Sequence, residues 1–322
     1  MEKGKTMKSS ILIFLLTLLL STSTTIAQAP RIDVVFLLDS TGSMADEIDA
    51  VKVRIREMIS EIALGDPAPD VRFGIVTYRD RGDAYVTKTF ELTADIDRIV
   101  ENLSQIEAAG GGDMPESLNE ALHVTLHEMN WDPDRATAKL VFLIADAPPH
   151  LDYPDDYDYK DEIQVALDQW IIVFSIGCSG LGEEGVRIFT EIAEGTEGVF
   201  EWLAYESAFI ADDGDTVIVV RRGPEVTYTK GDSTWAGDEG GFFPELGIPM
   251  TEGGGSYGTR DGAMAAPEGG ALGGSKNNLD DLITSAIKGE AEKRGVNYEG
   301  TAGTSAVRRT TWGRVKAKFI EF

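Results

Sequence analysis

Three acidic residues stand where an apolar segment or a glycine run gives way to a polar turn. In VVFLLDSTGSMADEID (residues 34–49) the apolar run ends on Asp39, followed by Thr41, a glycine and Ser43. KLVFLIADAPPH ends in the same way on Asp146, before a double proline that fixes the backbone just beyond the acid. Asp113 follows three glycines in AAGGGDMPESLNEAL and precedes a helix that Pro115 is expected to open. Carboxylates crowded together repel one another and take up protons unless a cation neutralises them. Carboxylate and hydroxyl ligands suit Mg2+, Mn2+ or Ca2+ rather than zinc. Helix capping by Ser43, with Asp46 three residues on, is the plainer reading of part of this pattern. It explains neither the strand-ending Asp39 nor the hydroxyl of Thr41.

The frame for these residues is an alternation of apolar strands and periodic helices. Strands are expected at 33–38, 71–78, 85–92, 139–145, 170–177 and 198–204, several of them continuously apolar, as in strands covered on both faces. Helical stripes run through Ile48, Val51, Ile55, Met58, Ile59 and Ile62, through Leu118, Leu122, Thr125, Leu126 and Met129, and through Val186, Phe189 and Ile192. The fold class that follows is α/β, a doubly wound and mainly parallel sheet with helices on both faces. Ligands of such sheets bind at the carboxyl ends of strands, where Asp39 and Asp146 lie.

After Tyr205 the texture changes. Residues 206–278 are rich in Gly, Asp, Ser and Thr, with one clear strand-like run at 215–222, and read as a flexible linker or a long inserted loop. Leu279, Leu282, Ile283, Ala286 and Ile287 then resume helical spacing up to Gly295, a plausible terminator. The expected organisation is a core over 32–205, a Gly/Asp-rich insertion over 206–278, a closing helix of the same domain over 279–295, and a tail over 296–322 that could add an edge strand.

Residues 1–29 have the order of a secretory signal: Lys3, Lys5 and Lys8, the apolar run ILIFLLTLLL, and a small-residue stretch ending in Ala27-Gln28-Ala29. The apolar run is shorter than the ~20 residues of a spanning helix. A secreted or periplasmic protein without a membrane span after cleavage is expected. The full chain of 322 residues carries a net charge of −26, and removing a leader of three Lys and one Glu makes it still more acidic. Such a surface repels phosphate backbones, which argues against nucleic-acid binding and favours cations or basic partners. Cys178 is the only cysteine, so no internal disulfide can form, and it is read as packing.

Asp39-Ser40-Thr41-Gly42-Ser43 resembles the Asp-x-Ser-x-Ser signature of the von Willebrand factor type A (VWA) domain, with Thr41 in place of the first serine. LIADAPPH is similar to that family's second acidic loop, and GGGDMPE to a bacterial subgroup of it. The resemblance runs from about Ile32 to Tyr205, and to about Gly295 with the last helix. It implies a Rossmann-like VWA fold with a metal-ion-dependent adhesion site (MIDAS). A hydrated divalent ion there leaves one coordination position open to a partner protein's carboxylate. Thr41 and Ser43 would coordinate the ion, while Asp39 and Asp146 would bind it or accept hydrogen bonds from its waters. Asp113 stands where better-known members place a threonine. Its added charge would make the ion a weaker acceptor for an acidic partner, so the partner group is open between acidic and basic side chains.

Other signals have plainer readings. His123 and His127 have zinc-ligand spacing, but Val124 stands where a metalloprotease carries Glu, and both are expected to face solvent. His150 lies near the proposed site and could orient a ligand. Asp152, Asp155, Asp156 and Asp158 lack EF-hand spacing and read as a solvated acidic loop. Arg81-Gly82-Asp83 reads as a turn between strands rather than an adhesion tripeptide. The expected function is that of a non-enzymatic, exported, metal-dependent protein-binding module. The alternatives are a metal-dependent hydrolase, with His150 as the sole candidate base, and a structural-metal protein that binds through its insertion.

Overall fold

The computed structural model describes residues 29–112, 114–211, 213–238 and 276–299. The expected leader up to residue 28, Asp113, the glycine runs within 239–275 and the tail from residue 300 lie outside the described residues. Six strands form the main sheet: β1 (Arg31–Asp39), β2 (Asp70–Tyr78), β3 (Thr87–Thr93), β4 (Ala138–Ala145), β5 (Ile171–Gly177) and β6 (Phe200–Trp202), in the order β3-β2-β1-β4-β5-β6. All neighbours pair in parallel except β2 and β3. The fold is thus α/β, with a mostly parallel sheet flanked by helices.

Residue alternation along β1 divides the core between the two faces of the sheet. Ile32, Val34, Phe36 and Leu38 pack with α1 (Ala45–Ile62), α2 (Ile96–Ser104) and α6 (Leu279–Glu292). Val35 and Leu37 pack with α3 (Leu118–His127), α4 (Tyr159–Asp168) and α5 (Glu183–Gly195). Burial on both sides explains why β1 and β4 read as unbroken apolar runs. The chain leaves β1 for β2 on one side and later returns to place β4 on the other, in register Leu38 with Ile144. That reversal of strand order sets Asp39 beside the end of β4 and opens a crevice at the carboxyl edge.

Two expectations about the elements are corrected. Pro115 does not open a helix: it follows a cis peptide bond after Met114, and α3 begins at Leu118. Residues 206–238 are neither linker nor bare loop. They form most of a second, antiparallel sheet ordered β10-β9-β8-β7-β11, from β7 (Ala204–Ile210), β8 (Thr216–Arg222), β9 (Glu225–Lys230), β10 (Ser233–Asp238) and β11 (Lys276–Asn277). Its core is small, with Phe209, Val217, Val219 and Val226 at the centre, and its many polar residues hid the strand alternation. β11 pairs with β7 just before α6 begins. Beyond α6, Gly295 turns at φ +90°, a conformation glycine adopts without strain. The segment after it is pinned to the end of α1 by the Asp66–Asn297 backbone pair and by the Tyr298 hydroxyl, which donates to the Ile62 carbonyl at 3.0 Å.

Candidate metal centre

Asp39 ends β1 and is fully buried. Its Oδ1 accepts from the backbone N–H of Thr41 at 2.8 Å and from the Thr41 hydroxyl at 2.7 Å. The Thr41 hydroxyl lies 3.4 Å from that of Ser43, and Ser43 in turn favours the ionised form of Asp146. Four of the five residues singled out by sequence are therefore joined in one chain of oxygen atoms, and the fifth, Asp113, lies outside the described residues. The capping explanation fails on the same geometry. Neither the 3-10 turn Gly42–Met44 nor α1 receives a side-chain cap, so the Ser43 hydroxyl turns into the cluster instead.

Asp39 Oδ2 and Asp146 Oδ1 are buried without a hydrogen-bond partner. The far end of the same strand shows how a structural carboxylate is treated: buried Asp33 receives Arg72 Nε at 2.8 Å and an Arg72 terminal nitrogen at 2.6 Å. At the Asp39 end, Arg79 directs its guanidinium to the backbone carbonyls of Ser40 and Glu107. Unpaired buried carboxylates are costly in the ionised form. Burial, and then the charge of Asp146, push the Asp39 carboxyl up to about 7, against opposing hydrogen bonds from Thr41. Burial raises Asp146 as well, with Ser43 opposing. A divalent cation would reverse both shifts, and the donor set of carboxylate and hydroxyl oxygens fits a hard ion.

Two carboxylates at this edge were missed in the sequence. Glu47, in the first turn of α1, is pushed up to about 7 by burial, while the hydroxyl of Tyr205 on β7 donates to its Oε1 and opposes the shift. Glu47 occupies the same helical stripe as Val51 and Ile55, so an acid on an apolar face was the signal available. Glu116 is buried with Oε2 unpartnered, and is pushed up to about 9 by burial first and then by the charges of Asp39 and Asp80. It follows Asp113 by three residues, and only the fold reveals its depth.

The glycine-rich loop presses onto the cluster from above. Gly42 N–H donates to the Gly110 carbonyl at 3.2 Å, and Ala109 N–H to the Ser40 carbonyl at 3.0 Å. Gly111 sits at φ +69°, and a Cβ there would come within 2.8 Å of both Thr41 Cβ and Glu116 Oε1, so the backbone can approach this closely only as glycine. The Arg81-Gly82-Asp83 turn supports the loop: Asp83 Oδ2 accepts from Gly111 N–H at 3.0 Å and from Asp80 N–H at 3.3 Å. His150 is buried beside these groups, with Nδ1 2.7 Å from Asp152 and Nε2 3.5 Å from Asp80, its ring stacked 3.9 Å from that of Tyr153. His127 is exposed, as expected, whereas His123 is half-buried; both contact Glu162 of α4.

The profile of the von Willebrand factor type A domain matches residues 33–213. Von Willebrand factor A domain-containing protein 7 of Homo sapiens is 36% identical over 97 residues, 30% of this chain and 10% of that protein. Alpha-protein kinase vwkA of Dictyostelium discoideum is 31% identical over 142 residues, 42% of this chain and 22% of that protein. The alignments thus span less than a quarter of either curated relative. Among solved structures, proximal thread matrix protein 1 of the mussel byssus, with a zinc-occupied MIDAS motif, aligns with TM-score 0.43 and 18% identity over 54% of this chain and 42% of that one. The family profile covers more than half of the sequence, and its span holds Asp39, Thr41, Ser43 and Asp146. The chain belongs to the von Willebrand factor type A domain family.

Proposed function

We propose that this chain is an exported protein-binding module that engages its partner through a divalent cation, Mg2+ in the first instance, at the carboxyl edge of the main sheet. Domains of this family are typically protein-interaction modules with a metal site. Thr41, Ser43, Asp39 and Asp146 would hold the ion, with Asp113 as the further ligand expected from the sequence. When bound, the ion offsets the carboxylates' charge and offers an oxygen-seeking position to a partner side chain. The carrying observation is the pair of buried, unpartnered oxygens, Asp39 Oδ2 and Asp146 Oδ1, beside two linked hydroxyls. An acidic partner side chain would fill that position and a basic one would pair with the acids around it; Glu47 and Glu116, where ionised, weaken the first and strengthen the second. The same reading takes 32–205 with the helix at 279–295 as one unit carrying 206–278 as an insertion. The packing of α6 against α1 and the pairing of β11 with β7 support it. A cleaved leader over residues 1–29 would deliver the chain to periplasm or medium.

The hydrolytic alternative is weaker. Its base would be His150, whose ring is buried and held by contacts to Asp152, Asp80 and Tyr153 rather than to any of Asp39, Thr41, Ser43 or Asp146. Calorimetric titration with Mg2+ and Mn2+ tests the proposal: the double variant Asp39→Ala/Ser43→Ala should lose binding while keeping its circular dichroism, and affinity capture from the native source should depend on Mg2+. Unchanged ion affinity in that variant refutes it.

A further inference from the structure

The contact between α3 and α4 gathers a second set of ligands, of different chemistry. His123 and His127 lie one helical turn apart on α3, and Glu162 projects from the first turn of α4. Their ligand atoms all lie within 4.8 Å of one another. His123 Nδ1 is 2.7 Å from Glu162 Oε1, and His127 Nε2 is 3.0 Å from Glu162 Oε2. Glu162 is only 4% exposed, so its carboxylate is fixed deep between the helices with the two imidazoles turned onto it. The rings are also fixed: His123 stacks on His127 at 4.1 Å between centroids, and Tyr157 lies flat on His123 at 3.5 Å. His127 is exposed, so one side of the cluster opens to solvent.

We propose that His123, His127 and Glu162 bind a transition-metal cation of the zinc class, with a fourth coordination position facing solvent. Two imidazole nitrogens and one carboxylate form the donor set of an open tetrahedral zinc site, and imidazole favours Zn2+ or Ni2+ over Mg2+. Metal–ligand bonds of 2.0–2.1 Å place tetrahedral ligand atoms roughly 3.3 Å apart. The observed 2.7 and 3.0 Å hydrogen bonds need to open by roughly 0.6 and 0.3 Å once the ion replaces the shared protons. The site is separate from the Asp39 cluster. Along α3, His123 and His127 stand about 9 and 15 Å from Ser117, which is nearest the glycine-rich loop. The sequence hid it because the third ligand is 35 residues beyond His127 and on another helix, not beside the first histidine.

The test is a Zn2+ titration of the chelator-stripped full chain in saturating Mg2+, which occupies oxygen sites, with Co2+ absorption spectra alongside. The expected result is tight uptake of Zn2+ together with the strong visible absorption of tetrahedral Co2+. Both should be lost in His127→Ala, and Glu162→Gln should weaken uptake by roughly 100-fold. Asp39→Ala/Ser43→Ala should leave this uptake unchanged. Three results overturn the proposal: no Co2+ absorption in the wild-type chain, uptake that survives His127→Ala and Glu162→Gln, or uptake that disappears with the Asp39/Ser43 variant. The wild-type spectrum decides the matter even if a variant fails to fold.

Discussion

Replacing Asp39 with Asn should make the metal-free protein more stable and remove most of the stabilisation that Mg2+ gives the wild type. Burial and the neighbouring Asp146 raise the Asp39 carboxyl from 3.8 to about 7. A carboxyl raised in the folded state contributes stability that is fully present below its unfolded value, near pH 4, and lost as pH climbs through 7. A rise of about three pH units corresponds to about 4 kcal/mol. Because part of the repulsion is shared with Asp146 and belongs to the pair, about 2–4 kcal/mol is the expected loss between pH 4 and 8. Asn keeps the Oδ1 that accepts from Thr41 and removes the charge. In urea denaturation with chelator at pH 8, Asp39→Asn should therefore be the more stable by about 2–4 kcal/mol, and the advantage should vanish near pH 4. In Mg2+ at a hundred times the dissociation constant, the wild type should gain about 2.7 kcal/mol and the variant almost none. A variant less stable than wild type in chelator at pH 8, or a difference independent of pH, would refute the reasoning.

Three further outcomes follow from the same contacts. Gly111→Ala should lower Mg2+ affinity and cost about 1–3 kcal/mol in thermal melting, because the new methyl meets Thr41 and Glu116 at a positive φ; an unchanged affinity would contradict the close packing of the loop. Tyr205→Phe strips the hydrogen bond from buried Glu47 and should cost about 1–3 kcal/mol in urea denaturation, with Glu47 titrating higher still by carboxyl NMR. Ile283→Ala, at a fully buried position of α6, should cost about 2–5 kcal/mol; a loss below 1 kcal/mol would mean that the helix is not part of the main core.

The main sheet was legible because parallel strands buried on both faces leave unbroken apolar runs, and because Asp39 and Asp146 interrupt two of them at the same edge. The second sheet was not, since strands such as Glu225–Lys230 are mostly half-exposed and polar and lie in a stretch whose glycine content suggested a linker. Within the cluster, the turn after β1 placed Thr41 and Ser43 beside Asp39, but only the family resemblance suggested them as ion ligands. Glu116 required the fold, because its burial depends on how the glycine-rich loop lies on Thr41. Glu162 required it too: no local pattern ties an acid on one helix to histidines on the previous one. Helix caps were read too generously, for Ser43 had a tertiary partner in Asp146 that local pattern cannot show.

Anomalous diffraction from crystals grown in Mn2+ tests the central claim most directly. A peak should appear bounded by Thr41, Ser43, Asp39 and Asp146, and vanish when Asp39 and Ser43 are both alanine. Ordered crystals in millimolar Mn2+ with no peak at that edge, or with the ion held only elsewhere, would contradict it.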